Sequence, residues 1–389
     1  CAGCSASTAT WACTISATRT APPSFTVRRA APRRAAAAPR SARAAPLTTM
    51  CRAASAHTGV IYDLNTKRQT LLQGHCASIS CTCVSADRRW IATADAGADS
   101  MLVLWDSYSG TPSISIASPH PGGVVAMDML PDARYVVTLS GDSPQVIAVW
   151  DLHAERRVPI HSAQVGDEVG EGEAPTEQQT CVRFDPSDPR SVVTNGGALV
   201  IFWSWEDSAL SYYAPPIGER DFKTPVGVLT RSAFIPGTPR AVSVTADGEA
   251  LLWDTVDLPE VASTDRRATK LIKLHQGSIG HVDTIGSMLV TGASDGHVRF
   301  FDFDFRALAW FEDLDAGAVT SVSFAHAPNI EAKAAETDAG GGVGSLECPD
   351  FVVATANALI ISCQASMFDE LTPDERKGTL LVQGQDAAA

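Results

Sequence analysis

The sequence predicts an all-β propeller, in its simplest form of seven blades, preceded by a disordered amino-terminal segment. Three observations carry that expectation. The dipeptide Trp-Asp occurs at 105, 150 and 253, although the chain holds only eight Trp in 389 residues. Each copy closes an apolar run of strand type, in "MLVLWD", "VIAVWD" and "EALLWD". Relaxing the tryptophan adds "GVIYD", "LVIFW", "HVRFFD" and "ALIISC". The landmarks are then Tyr62, Trp105, Trp150, Trp203, Trp253, Phe301 and Cys363, separated by 43, 45, 53, 50, 48 and 62 residues. A period just above ~40–45 residues suits a four-stranded unit that cannot bury both sheet faces alone and stacks radially on its neighbours.

The elements follow in order. "HTGVIYDL" supplies a third strand and "RQTLLQ" a fourth, so the register demands two strands before them. Residues 1–55 contain no convincing pair, and the missing half-blade is expected from chain outside this sequence or from the carboxyl terminus. The first full unit begins at Gly74. "SISCTCVS" alternates as an innermost strand, "ADRR" is a polar turn, "WIATA" and "SMLVLWD" are the second and third strands, and "PSISIA" is the outer one.

This unit resembles a WD repeat, in which a His, a Ser or Thr, an Asp and the Trp form a buried hydrogen-bonded chain. The matching residues are His75, Thr93, Asp99 and Trp105. A buried indole N–H needs an acceptor and a buried carboxylate needs donors, so a structural role is expected and no catalytic one. On that reading Asp99→Ala costs a few kcal/mol by leaving donors unpaired. Ser243, Asp247 and Trp253 keep three of the four positions, and His275, Thr291 and Asp295 another three, with His275 preferred to His281. The unit ending at Trp203 has Gly197 at the Asp position, and the last unit has Asn357 there and Cys363 in place of Trp.

Charge divides the chain. Residues 1–62 carry eight Arg and no acid, against a net charge of -14 overall. The Ala, Arg and Pro bias of "TVRRAAPRRAAAAPRSARAAP" predicts disorder, with a transit peptide or a basic arm for acidic partners such as tubulin tails as functional readings. Residues 56–389 form the expected propeller. No apolar stretch approaches the roughly 20 residues of a membrane span. The ten scattered Cys read as small core residues of a reducing compartment; "CAGC" and "CTC" have no second pair at zinc spacing, so no metal is expected.

Two insertions interrupt the repeats. "QVGDEVGEGEAPTEQQ" is an acidic loop on the face that WD proteins use for partners. "APNIEAKAAETDAGGGVGSLECP" emerges on the opposite face, and its "GGGVG" lacks the following GK[ST] of a phosphate cradle. "RRATKLIKL" has the basic amphipathic character of a calmodulin target but fits an outer strand. "LTPDERKG" places Thr372, Pro373 and Glu375 as a capping box before a short helix, and "GTLLVQG" is a candidate closing strand. With no G-x-S-x-G, H-E-x-x-H or Rossmann fingerprint, neither enzyme chemistry nor a cofactor is expected.

Residues 56–110, above all "GHCASISCTCVSADRRWIATAD" followed by "LVLWDSYSG", resemble the cilia- and flagella-associated protein 251 family, WD-repeat subunits of the calmodulin- and spoke-associated complex. The likeness extends more loosely after 160. It implies a scaffold in the axoneme of motile cilia, at the radial spoke base on doublet microtubules, with calmodulin-containing neighbours as partners and neither nucleic acid nor membrane among them. No D-x-[DN]-x-[DN]-G loop occurs, so no calcium site is expected. The rival within the fold is an echinoderm-type microtubule-associated protein binding tubulin directly. Outside that class stands a ubiquitin-ligase substrate receptor or coat propeller.

Overall fold

The computed structural model describes residues 11–15, 49–55, 57–63, 68–166, 177–206, 209–217, 222, 224–255, 265–312, 314, 316–324, 350–365, 370–372 and 375–383, with the backbone alone for 11–15 and 49–55. Most of residues 1–55, the acidic insertion from 167 to 176 and the second insertion from 325 to 349 therefore lie outside the described residues.

The described residues form seven four-stranded antiparallel meanders. The first holds β1 (Trp11–Ile15), β2 (Thr49–Ser55), β3 (Thr58–Asp63) and β4 (Arg68–Gln73), and the second β5 (Ile79–Val84), β6 (Trp90–Asp95), β7 (Met101–Asp106) and β8 (Pro112–Ala117). The third comprises β9 (Val124–Met129), β10 (Tyr135–Ser140), β11 (Val146–Asp151) and β12 (His161–Gln164), and the fourth β13 (Cys181–Phe184), β14 (Ser191–Asn195), β15 (Val200–Glu206) and β16 (Ala209–Tyr213). The fifth runs through β17 (Leu229–Phe234), β18 (Ala241–Thr245), β19 (Glu249–Thr255) and β20 (Arg266–Lys273). The sixth holds β21 (Ile279–Ile285), β22 (Met288–Ala293), β23 (Val298–Asp302) and β24 (Ala307–Phe311), and the last β25 (Val319–Phe324), β26 (Phe351–Thr355), β27 (Leu359–Cys363) and β28 (Thr379–Gln383). Six sheets are thus described with side chains in every strand, and the first in its outer two strands only.

The strands of the first full unit fall where alternation places them, and the basic segment "RRATKLIK" is an outer strand and no helix. The expectation that residues 1–55 hold no strand pair needs correction. β1 pairs with β2, and β2 pairs with β3 in the register Cys51↔Tyr62, completing the first sheet from within this chain. The inner edge of β3 would otherwise present a row of unpaired N–H and C=O groups, and that need overrides the weak strand propensity of an Ala-rich segment. At the other end, the Glu375 carboxylate accepts from both the Thr372 backbone N–H and its hydroxyl, at 2.9 and 2.7 Å. Only this half of the capping box forms, since the Glu375 N–H goes to the Thr372 carbonyl, and it precedes a 3₁₀ turn, Glu375–Lys377, before β28 closes the last sheet.

Why the third strand of each unit reads as an unbroken apolar run is clear from its burial. Leu102 to Trp105 and Ile147 to Trp150 are all buried, because each sheet packs on a neighbour through both faces. The outer strands β4 and β8 bury one residue each, Leu72 and Ile116. Every neighbouring pair of sheets shares an apolar cluster. Trp150 and Leu104 meet between the second and third sheets, Leu139 and Trp203 between the third and fourth, and Phe202 and Trp253 between the fourth and fifth. Val244 and Phe301 join the fifth and sixth, and Phe300 and Phe351 the sixth and last. Tyr62 packs on Val352 and Ile360, while Ile61 and Leu72 pack on Trp105, so the first sheet lies between the last and the second and the ring is closed.

Backbone approaches between sheets are as close as glycine permits. Gly123 has φ +79°, bridges to Ala96 of the preceding sheet, and would bring an added Cβ to 2.3 Å from the Gly97 nitrogen. Gly123→Ala therefore combines a left-handed backbone with a clash against main chain. We expect a loss of about 2 kcal/mol or more in chemical denaturation; an unchanged midpoint would mean that the two sheets are not held this closely.

Candidate functional site

The polar residues singled out in the sequence lie between strands and not in a cleft. In the second sheet, His75 Nε2 is 2.6 Å from Thr93 Oγ1, and Trp105 Nε1–H donates to the same hydroxyl at 2.8 Å. The carboxylate of the chain is Asp95, whose Oδ2 lies 3.3 Å from His75 Nδ1 with both side chains fully buried. Asp95 also accepts from the backbone N–H of Ala77 at 3.2 Å and from that of Met101. Asp99, expected in this place, is exposed in the turn before β7. The reason is geometric. Asp95 follows Thr93 by two residues on β6, so both side chains leave the same face, whereas Asp99 falls after the strand has ended.

The sixth sheet assembles its three expected members. His275 Nε2 lies 2.8 Å from Thr291 Oγ1, and Nδ1 lies 3.2 Å from Asp295 Oδ2. Asp295 accepts also from the Gln276 and His297 backbone N–H groups at 3.2 and 3.1 Å. In the fifth sheet Trp253 Nε1–H donates to Ser243 Oγ at 2.9 Å, but Ser232 Oγ, 2.6 Å from Ser243 Oγ, stands in the histidine's place. Asp247 does not join them and is exposed. Thr245, two residues beyond Ser243, takes over one of its duties by accepting the Glu249 N–H at 3.1 Å. Gly248, next to Asp247, has φ +78°, and this turn carries the Asp247 side chain off the strand face.

Two further clusters escaped the sequence reading. His120 Nε2 is 2.7 Å from Thr138 Oγ1, which accepts from Trp150 Nε1 at 2.9 Å. The separations of 18 and 12 residues repeat those of His75, Thr93 and Trp105, and only the Pro that replaces Gly before the histidine hid the match. In the fourth sheet the Trp203 indole donates to Thr194 Oγ1 at 3.0 Å, and that hydroxyl donates to Gln179 Oε1 at 3.0 Å. Glu177 makes good the carboxylate missing at Gly197, since its Oε1 accepts from the Gly197 and Ala198 N–H groups at 2.8 and 3.0 Å. Across three sheets the residue two beyond the central hydroxyl, Asp95, Ser140 or Thr245, accepts the first N–H of the third strand.

One proton arrangement satisfies such a cluster. The indole N–H donates to the hydroxyl, the hydroxyl donates to His Nε2, and Nδ1–H faces the carboxylate, which leaves the imidazole neutral. Burial agrees with it. Desolvation lowers His120 and His275 to about 4, against the raising effect of Asp142 and Asp295 respectively. The clusters therefore hold turns to strands and leave no nucleophile or base turned to solvent.

The central channel is a cavity of about 720 Å³ lined by the innermost strands β5, β9, β13, β17, β21 and β25. Arg183 spans it, with Nη1 3.6 Å from Asp128 Oδ1 on the neighbouring sheet and Nη2 3.6 Å from Asp283 Oδ2 two sheets away. Asp283 beside it raises the Arg183 guanidinium further, and burial pushes Asp128 up despite Arg183. Burial likewise lowers His281 to about 4. Among the described residues no three His, Cys, Asp or Glu sit close enough together to hold a metal ion. Cys181 and Cys363 are buried, and burial pushes the Cys363 thiol up to about 12.

With this geometry in place the comparisons are decisive. The sequence model of the CFAP251 N-terminal domain matches residues 50–368. The chain belongs to that family. Cilia- and flagella-associated protein 251 of Chlamydomonas reinhardtii is 38% identical over 339 residues, which are 84% of this chain and 41% of that protein. The Tetrahymena thermophila protein of the same name is 34% identical, over 84% of this chain and 34% of its own length. Human WD repeat-containing protein 90 is 26% identical over 62% of this chain and 13% of its own. The chain thus spans about two-fifths or less of these relatives. Membership of the CFAP251 family covers nearly all the sheets, from β2 to β27, and so reaches well beyond the residues 56–110 that first suggested it. No helix among the described residues is long and apolar enough to cross a membrane.

Proposed function

We propose that this domain is a non-catalytic scaffold of the motile-cilium axoneme, a WD-repeat platform at the radial spoke base on doublet microtubules. In this reading it contributes to spoke assembly and to the control of ciliary motility, with subunits of the calmodulin- and spoke-associated complex as partners and the seven sheets as seven blades. The observation that carries it is the family match over residues 50–368, to proteins named for their association with cilia and flagella. The polar clusters support a platform over an enzyme, because the buried His, Thr, Asp and Trp side chains are engaged with one another. A closed ring also makes a rigid body whose faces can be contacted at once by several proteins.

The expected result in cells lacking the protein is axonemes with missing or displaced radial spokes by cryo-electron microscopy, together with reduced beating. Re-expression of the chain with its core intact should restore its place at the spoke base. A full, regularly spaced set of spokes with normal motility would reject the reading.

A further inference from the structure

Among the described residues, one cation lining the central channel has no counter-ion within ion-pair distance. Arg231 lies on β17, exposed, with its side chain lining the cavity. Among the described residues no hydrogen bond or ion pair reaches its guanidinium, whereas both ends of Arg183 are taken by Asp128 and Asp283. On β21, which packs beside β17, His281 lines the same cavity and is held neutral by burial. Its Nε2 is buried and has no hydrogen-bond partner among the described residues. An unpartnered buried nitrogen costs free energy unless something completes it.

We propose that this channel receives a single carboxylate, carried on an extended peptide, whose oxygens are shared between the Arg231 guanidinium and His281 Nε2. One unpaired cation matches one negative charge, which favours a carboxylate over a phosphate carrying about −1.5 to −2. The planar fork of arginine and a neutral imidazole that presents N–H from Nε2 supply donors to both oxygens. Ser80, Thr82, Thr320 and Ser323 line other parts of the wall. A peptide is favoured over a small ion by the apolar part of the lining. Pro131, Pro186 and Pro236 line the cavity just after the ends of β9, β13 and β17, and Val125, 42% exposed, lines it at the start of β9. Those apolar groups suit the stem and backbone of a chain whose acidic side chain reaches inward. The proposal stands apart from the axonemal reading, since it concerns binding by the isolated chain.

The test is an array of immobilised pentapeptides with Glu, Asp, Gln or phosphoserine at the centre and varied flanks, probed with the folded chain. Three proteins are compared: wild type, Arg231→Gln and Arg267→Gln, the last removing an exposed arginine of the outer strand β20. We expect a subset of Glu- or Asp-centred spots that lose their Gln counterparts, fall at least tenfold with Arg231→Gln and persist with Arg267→Gln. Sodium acetate at millimolar concentration should compete weakly. Equal loss with both variants would reduce the signal to general charge and overturn the site, as would no spot at all. Dominance of phosphoserine would overturn the carboxylate, and full competition by acetate the peptide. Circular dichroism of Arg231→Gln separates lost binding from lost folding; should that variant unfold, the same comparison with Arg231→Lys decides, since an ammonium keeps the charge but not the fork.

Discussion

Asp95→Ala should destabilise the domain by about 3 kcal/mol, and Asp99→Ala by no more than about 0.5 kcal/mol. The two residues lie four apart in "DAGAD", both before the same third strand, and differ in what they hold. Asp95 is fully buried and serves His75 Nδ1, the Ala77 N–H and the Met101 N–H. Its removal strands three polar groups between sheets with no water to replace the carboxylate. Asp99 points to solvent and serves none of them. Asp95→Asn is the finer probe, because an amide keeps the acceptor for one N–H while its NH₂ opposes the imidazole. It should lie between the two alanine variants. Urea denaturation of the three proteins measures the order directly, and equal losses for Asp95→Ala and Asp99→Ala would sink the assignment of Asp95.

How much of this was legible follows from what repeats at a fixed distance. The third strands announce themselves, since burial on both faces leaves no room for polar residues in Leu102–Trp105 or Ile147–Trp150. The outer strands were legible by position alone, as β4 and β8 bury a single side chain each. The His275, Thr291 and Asp295 cluster was readable because its turn keeps the spacing of the repeat. Asp99 misled for the converse reason. Its turn is longer, two aspartates compete in it, and only Asp95 still lies on the strand, two residues from Thr93 and on the same face.

Substitution of one hydrogen-bonding type by another hid the remaining members. Gln179 and Ser232 fill histidine positions with an amide and a hydroxyl, and Glu177 reaches Gly197 from 20 residues away in sequence. No local pattern encodes such an exchange, because what is preserved is a satisfied acceptor and not a residue. The channel was illegible for another reason. Arg183 meets Asp283 at a separation of 100 residues, across a ring whose closure brings their strands together. Spacing rules speak within a repeat; contacts across the axis depend on the whole circle.

Acid should weaken the fold as pH falls below about 6.5, and the histidines dictate the sign. His120, His275 and His281 are each lowered by burial from 6.5 to about 4. Between those two values the unfolded chain binds protons that the folded chain refuses, so stability falls as pH drops from about 6.5 to about 4 and levels off below. For His120 and His275, 3% and 1% exposed, the loss is on the order of 3 kcal/mol each at ~1.4 kcal/mol per pH unit. Asp128 and Asp185, both raised by burial, work the other way. The folded state takes their protons first, which returns part of the loss as pH falls through their raised values. The net expectation is a stability that declines steeply from pH 6.5 to 4 in urea denaturation. The fourth sheet supplies its own control, because Gln179 occupies the histidine position there and satisfies Thr194 without a titrating group. His275→Gln copies that solution into the sixth sheet. It should cost little at pH 7.5, where the amide can accept from Thr291, and should flatten the acid limb by roughly the share of one histidine, about 3 kcal/mol. An acid limb unchanged in His275→Gln would show that this imidazole is not kept neutral by its burial.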